Sequence, residues 1–143
     1  MIPDSIGLVE ISDLRMVDNS TIRDLVQNDS PDNKRYVAYE HGDEVAFLSI
    51  FPRPDLKIWV IYKMFVLPEL RWHGIGTRLL LAAEELGRNK GFPKVRLTPK
   101  ALGYPDGDER DRETAKLIAW YERHGYRATQ DSRFREWQKE LQR

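Results

Sequence analysis

The chain contains no cysteine, which rules out disulfides, thiolate metal sites and a cysteine nucleophile. It also has no net charge, +0 at pH 7. Neutralising nucleic-acid phosphates needs an excess of lysine and arginine, so no nucleic-acid partner is expected, although a local basic patch stays open. Nowhere do the ~18 apolar residues of a membrane span follow one another. The start Met1-Ile2-Pro3-Asp4 lacks the basic stretch and apolar run of a secretion signal, so no membrane association is expected and the cytoplasm is the default location. No repeat, low-complexity tract or linker divides the 143 residues. A single domain over 1–143 is therefore expected, able to bury about two thirds of its unfolded surface.

What is present reads mainly as alternating strands and helices. Leu8 to Ile11 suits a short strand, and Ile22, Leu25 and Val26 fit one helical face behind a cap at Asn19 or Ser20. Tyr36 to Tyr39 and Val45 to Ile50 flank His41-Gly42-Asp43 as a hairpin. Ile58 to Leu67 is apolar on both faces, with Ile58, Val60, Tyr62, Met64 and Val66 on one side and Trp59, Ile61, Phe65 and Leu67 on the other. Such a run predicts a central, covered strand. Ile75, Leu79, Ala83 and Leu86 then repeat at helical spacing until Gly91 and Pro93, and Val95 to Thr98 returns as a parallel strand. A second helix is predicted from about Thr114 to His124, ended by Gly125. Tyr126 to Thr129 and Phe134 to Leu141 read as final strands, the latter equally compatible with helix.

The chemistry-bearing feature is a strand that gives way to Gly74-Ile75-Gly76 at the mouth of a helix. A helix start leaves backbone N–H groups unpaired and carries partial positive charge, so it can hold a diphosphate with main-chain atoms. Glycine admits the phosphate where a β-carbon would collide, and Arg71 and Arg78 can add charge. The same glycines could equally serve a tight turn, with both arginines solvated. The Lys-Ser/Thr ending of a P-loop and the third glycine of a dinucleotide fold are missing.

Val66-Leu67-Pro68-Glu69-Leu70-Arg71-Trp72-His73-Gly74-Ile75-Gly76 resembles the acyl-CoA signature of the GNAT superfamily of N-acetyltransferases. Thr114 to Tyr126, with Tyr121, Gly125 and Tyr126, is similar to a second segment of that family, and the two occur in the family's order. The resemblance covers about Arg35 to Leu141. It implies a mixed α+β fold with a mostly antiparallel sheet, splayed central strands and flanking helices. It implies acetyl-CoA as the acetyl donor, no metal, and direct transfer to a primary amine, on a small molecule or a protein. A homodimer is left open. By the same resemblance, the segment of Arg71, Trp72, His73, Gly74, Ile75, Gly76 and Thr77 would hold the pyrophosphate. Met64, Phe65 and Val66 would pair with the pantetheine arm like an added strand, Met64 N–H would face the thioester oxygen, and Tyr121 would protonate the departing thiolate.

Two departures limit the transfer of roles. The family's usual asparagine falls at Thr114, which offers a hydroxyl for the pantetheine. A catalytic glutamate of some members falls at Val60, leaving Glu40, Glu44, Tyr62 or water as candidate bases. A domain that binds acyl-CoA without catalysis, as a sensor or interaction module, is the competing reading. His41, His73 and His124 are too scattered for a zinc site. His73 is expected in solvent and His124 at a helix end that tolerates a cation. The tryptophans read as packing residues. Asp106 to Glu113 reads as a solvated loop, or one that steers a cationic amine.

Overall fold

The computed structural model describes residues 6–71, 73–102, 104–129 and 136–141. Among them, seven strands form one sheet: β1 (Gly7–Glu10), β2 (Lys34–Glu40), β3 (Asp43–Arg53), β4 (Ile58–Val66), β5 (Lys94–Leu97), β6 (Arg127–Ala128) and β7 (Trp137–Glu140). Their order in space is β1-β2-β3-β4-β5-β7-β6, antiparallel everywhere except between β4 and β5. Three helices accompany them: α1 (Ser20–Gln27), α2 (Ile75–Asn89) and α3 (Asp108–Arg123). The mixed, mostly antiparallel sheet is the one the sequence predicts. Among the described residues, no helix is long and apolar enough to cross a membrane.

Each sheet face has its own core. Ile22 and Val26 of α1 pack with Val37, Phe47, Phe65 and Leu67, while α2 places Ile75, Leu79, Leu80 and Ala83 against Leu48, Ile50, Trp59 and Ile61 on the other face. Helix α1 starts where expected, because the Asn19 side chain accepts from Ile22 N–H at 3.0 Å. Glu44 of β3 reinforces that start by accepting from the N–H groups of Asp18 and Asn19 at 2.8 and 2.7 Å. The β2–β3 turn puts His41 and Gly42 at φ 54 and 83, as a type I′ hairpin requires.

The central strand departs from a simple alternation. Opposite β3, Lys63 pairs with Ser49 but Ile61 pairs with Ile50, leaving Tyr62 as an extra residue. Carrying one alternation from Ile58 to Leu67 puts Trp59 and Ile61 on the face of Phe65 and Leu67, and this is corrected by the bulge. Trp59 and Ile61 instead share the α2-side core with Met64 and Val66, whereas Phe65 and Leu67 lie on the α1 side. A bulge leaves one residue without a partner and bends its strand.

Helix α3 begins at Asp108, earlier than expected. The charge-rich stretch read as a loop is largely helical, because Asp108, Glu109 and Asp111 complement the dipole of the first turn and Arg110 pairs with Asp106. At the other end, Trp137–Glu140 is strand rather than helix, fixed between β5 and β6. Phe134 lies outside the described residues.

Trp59 is fully buried and its indole N–H donates to Ala83 O at 3.0 Å. The helix comes this close because Gly87 faces the ring: a β-carbon there would stand 2.7 Å from two Trp59 ring atoms. Alanine at position 87 would add up to about 1 kcal/mol of helix propensity, against about 1–3 kcal/mol for overpacking a ring that cannot retreat. Gly87→Ala should therefore lower the urea midpoint, and a raised midpoint would contradict this packing.

Candidate active site

Strands β4 and β5 pair only from Ile58 opposite Lys94 to Ile61 opposite Leu97. Beyond that point β5 stops and β4 runs on to Val66, so the sheet opens between them. The opening is a cleft of about 270 Å³, lined among others by Tyr62, Lys63 and Met64 of β4, by Lys100, and by Leu117 and Tyr121 of α3. A larger hollow of about 430 Å³ lies beside β6 and β7, but no residue expected at the site lines it. Of the residues expected at the site, the smaller cleft collects Met64 and Tyr121.

Backbone alternation decides which atoms enter the opening. Leu67 N–H donates to Val45 O at 3.0 Å. In an antiparallel ladder this sets the backbone groups of Leu67 and Phe65 toward β3, and those of Met64 and Val66 toward the open side. Phe65 thus lies with its backbone in the sheet and its ring in the α1-side core. Val66 O already receives Arg71 Nε at 3.1 Å, and the Arg71 guanidinium rests 5.1 Å from the Phe65 ring centroid.

From β4 the chain passes through a short 3-10 turn, Pro68–Leu70, to Gly74, whose φ of 79 starts α2. No side chain caps this helix. The first N–H groups of α2, at Ile75, Gly76 and Thr77, therefore lack the side-chain acceptor that α1 receives from Asn19, and with the helix dipole they form an anion-receiving end. A β-carbon on Gly76 would meet the Trp120 ring at 3.8 Å. Arg78 does not swing free beside this turn, since it pairs with Glu40 and donates to His73 O at 3.4 Å. His73 is exposed, as expected, and Trp72 lies outside the described residues. Amides without a side-chain acceptor among the described residues, and a left-handed glycine at the end of an open strand edge, fit the diphosphate and amide-bearing arm of acetyl-CoA. Thr114 Oγ1 accepts from Ala101 N–H at 3.1 Å, which pins the segment after β5 to α3 and leaves the hydroxyl hydrogen to donate.

Tyr121 is 5% exposed and its hydroxyl makes no hydrogen bond among the described residues. Its ring is held edge-on by Trp120 at 4.9 Å and Tyr126 at 5.6 Å. Burial pushes its phenol well above the ordinary value, so it is a proton donor throughout the neutral range. The structure brings Tyr121 and Met64 to one cleft. Of the candidate bases, Glu40 is taken by Arg78, and Glu44 by the start of α1 and by Tyr39. Only Tyr62 lines the cleft. His124 differs from expectation: burial lowers its affinity for a proton, so the neutral ring is favoured despite its place at a helix end.

Two buried polar clusters were missed. Glu84, 2% exposed on α2, accepts from Tyr126 Oη at 2.8 Å and from Lys139 Nζ at 3.0 Å. Burial, then the Glu84 carboxylate, pushes the Tyr126 phenol upward. The signal was a charge on the inward stripe, four residues after Leu80 and three before Gly87. On the other face, Asp29 accepts from Ser49 Oγ at 2.5 Å and Asn33 Nδ2 at 3.3 Å, and Lys63 Nζ stands 3.6 Å away. Among the described residues no group of His, Asp and Glu is arranged to hold a metal.

A family model described as the Acetyltransferase (GNAT) family matches residues 8–126. No curated protein sequence matches the chain. Among solved structures, the chain is similar to a GNAT family acetyltransferase from Elizabethkingia anophelis with acetyl-CoA bound, with a TM-score of 0.67 and 16% identity over 96% of this chain and 99% of that one. It is also similar to the ribosomal-protein-S18-alanine N-acetyltransferase of Escherichia coli, with a TM-score of 0.64 and 16% identity over 97% and 94% of the two chains. The IAA acetyltransferase of Bacillus cereus gives a TM-score of 0.63 and 18% identity over 96% and 100%.

The Glu84 cluster holds Tyr126, which in turn supports the Tyr121 ring. Lys139→Met would leave a buried carboxylate without its cation, a loss of about 3 kcal/mol at the lower end for such pairs, since Lys139 retains some exposure. Adding Glu84→Gln removes the stranded charge and should recover much of that stability. Urea unfolding of the single and double variants checks this, and a fully additive loss would contradict the pairing.

Proposed function

The chain belongs to the GNAT acetyltransferase family, and we propose that it moves the acetyl group of acetyl-CoA to a primary amine by direct attack in the opening between β4 and β5. The observation that carries this reading is the meeting of Met64 and Tyr121 in one cleft, where β4 runs on past the end of β5. Acetyl-CoA supplies an acyl carbon already activated as a thioester. The amides of Ile75, Gly76 and Thr77 bind the diphosphate, and the open edge at Met64 and Val66 orients the arm. For that, Arg71 must leave Val66 O, which frees its charge for the phosphates. Met64 N–H is the donor to the carbonyl oxygen, where negative charge grows as the amine attacks. Tyr121 holds a proton at Oη and delivers it to the leaving sulfur.

With no cysteine in the chain, a thiol-borne acyl-enzyme is impossible, which supports direct transfer. The single domain and the cytoplasmic setting belong to the same proposal, as does a primary amine on either a small molecule or a protein. One observation favours the reading of a non-catalytic acyl-CoA sensor: among the described residues, no carboxylate or histidine lines the cleft. Thiol release over an amine panel separates the two readings.

Acetyl-CoA should raise the melting temperature, because a ligand at ~100 times its Kd contributes about 2.7 kcal/mol. Gly74→Val should abolish most of that rise, as a left-handed backbone at φ 79 resists a branched side chain. A flat response of folded wild-type protein at millimolar acetyl-CoA would remove the proposal.

Tyr121→Phe keeps the ring but removes the proton, so turnover should fall about 10²- to 10⁴-fold with acetyl-CoA affinity little changed. Because burial raises its pKa, wild-type kcat should show no alkaline loss from this group below about pH 10, the ordinary tyrosine value. An alkaline limb near neutrality that vanishes in Tyr121→Phe would show the opposite sign of shift.

A further inference from the structure

We propose that the amine acetylated here is a small molecule that also carries a carboxylate, received by Lys63, on the α1 side of the opening, and by Lys100, which lines the same cleft. This rests on the acetyl-transfer reading and names the acceptor class for that site. The opening has two mouths. Met64, Leu117 and Tyr121 belong to the α2-side core, whereas Lys63 pairs in register with Ser49 on the α1 side, next to Phe65 opposite Phe47, and Leu102 packs on that same side. The donor machinery therefore occupies one mouth and the lysine stands at the other.

Charge selects what the second mouth takes. The cleft lining contains Lys63 and Lys100 and, among the described residues, no aspartate or glutamate. The acids of the first turn of α3 do not line it. Lys63 is partly buried, its side chain 26% exposed, and held in place: Asp29 lies 3.6 Å from Nζ and the Tyr62 ring centroid 5.5 Å away. At 3.6 Å the contact is an ion pair but not a hydrogen bond. Among the described residues, Lys63 Nζ makes no hydrogen bond, and Lys100 Nζ makes neither hydrogen bond nor ion pair. Among the described residues, the lining and its buried partner Asp29 together carry two cations and one anion. One further carboxylate closes the balance, and a second ammonium would be repelled.

Size argues for a small acceptor. A cleft of about 270 Å³ that must also admit the thioester end of acetyl-CoA leaves little room for the acceptor, since small-molecule sites commonly take about 300–1,000 Å³.

The test compares matched compounds, an α-amino acid, its carboxamide and its decarboxylated amine, for instance phenylalanine, phenylalaninamide and phenethylamine, with spermidine as a polycation. Thiol release gives kcat/KM referred to the neutral amine. Calorimetric titration of the CoA-saturated protein gives binding without turnover. The carboxylate compound should be preferred by about tenfold or more, as a charge-assisted contact allows. Lys100→Gln, at an exposed and unpaired position, should reduce that preference while KM for acetyl-CoA stays unchanged. Lys63→Gln should reduce it too, and Lys63→Arg should retain it. Equal or better use of the amides or of spermidine, or no binding of carboxylate amines to the CoA-loaded protein, overturns the inference. Transfer without a carboxylate preference leaves the acetyltransferase reading intact, whereas a protein that acetyl-CoA does not stabilise loses that reading instead.

Discussion

The parting of β4 from β5 is the constraint on which the rest of the structure depends. Two parallel strands that stayed paired would satisfy each other's backbone groups and leave nothing for a ligand. Here pairing stops after Ile61 and Leu97, close to the point where Tyr62 is inserted opposite β3. One extra residue bends the strand and reverses the sides to which later residues point. Met64 and Val66 therefore join the face of α2 and α3, where Tyr121 also lies. Without the bulge, the alternation would turn Met64 away from Tyr121.

Much of this was legible because it depends on local sequence. The glycines before α2, the period-3.6 stripe of Ile75, Leu79 and Ala83, and the hairpin at His41-Gly42 each need only neighbouring residues to be understood. Tyr121 was singled out by the resemblance of Thr114 to Tyr126 to the family's second segment rather than by local pattern. The bulge was not legible, since Ile58 to Leu67 alternates acceptably in either register and only pairing with β3 reveals the extra residue. The beginning of α3 was missed because charge density resembles a loop until the acids are seen to sit on the positive end of a helix.

The polar clusters escaped for a different reason. Glu84 meets Tyr126 and Lys139, 42 and 55 residues later, and Asp29 meets Ser49 and Lys63, 20 and 34 residues later. A buried carboxylate is costly until its partners arrive, and sequence order does not reveal the partners. Arg71 and Arg78 show the same limit. Both flank the glycine turn in sequence, yet one folds back onto Val66 O and the other pairs with Glu40 of β2.

In the proposed reading, the two mouths of the opening would differ in how they recognise a ligand. On the donor side the groups would be backbone amides at a helix start and a strand edge, so side-chain identity would matter little and the pattern is easily read. For the acceptor the groups would be lysine side chains, one positioned by a buried aspartate, so recognition could vary while the fold is kept. The cationic mouth also bears on the absence of a lining base. Neighbouring positive charge disfavours an ammonium and lowers its pKa. An acceptor whose carboxylate is paired by Lys63 and Lys100 would lose the stabilisation that this carboxylate gives its own ammonium in water, and could release its proton to solvent without a base from the protein.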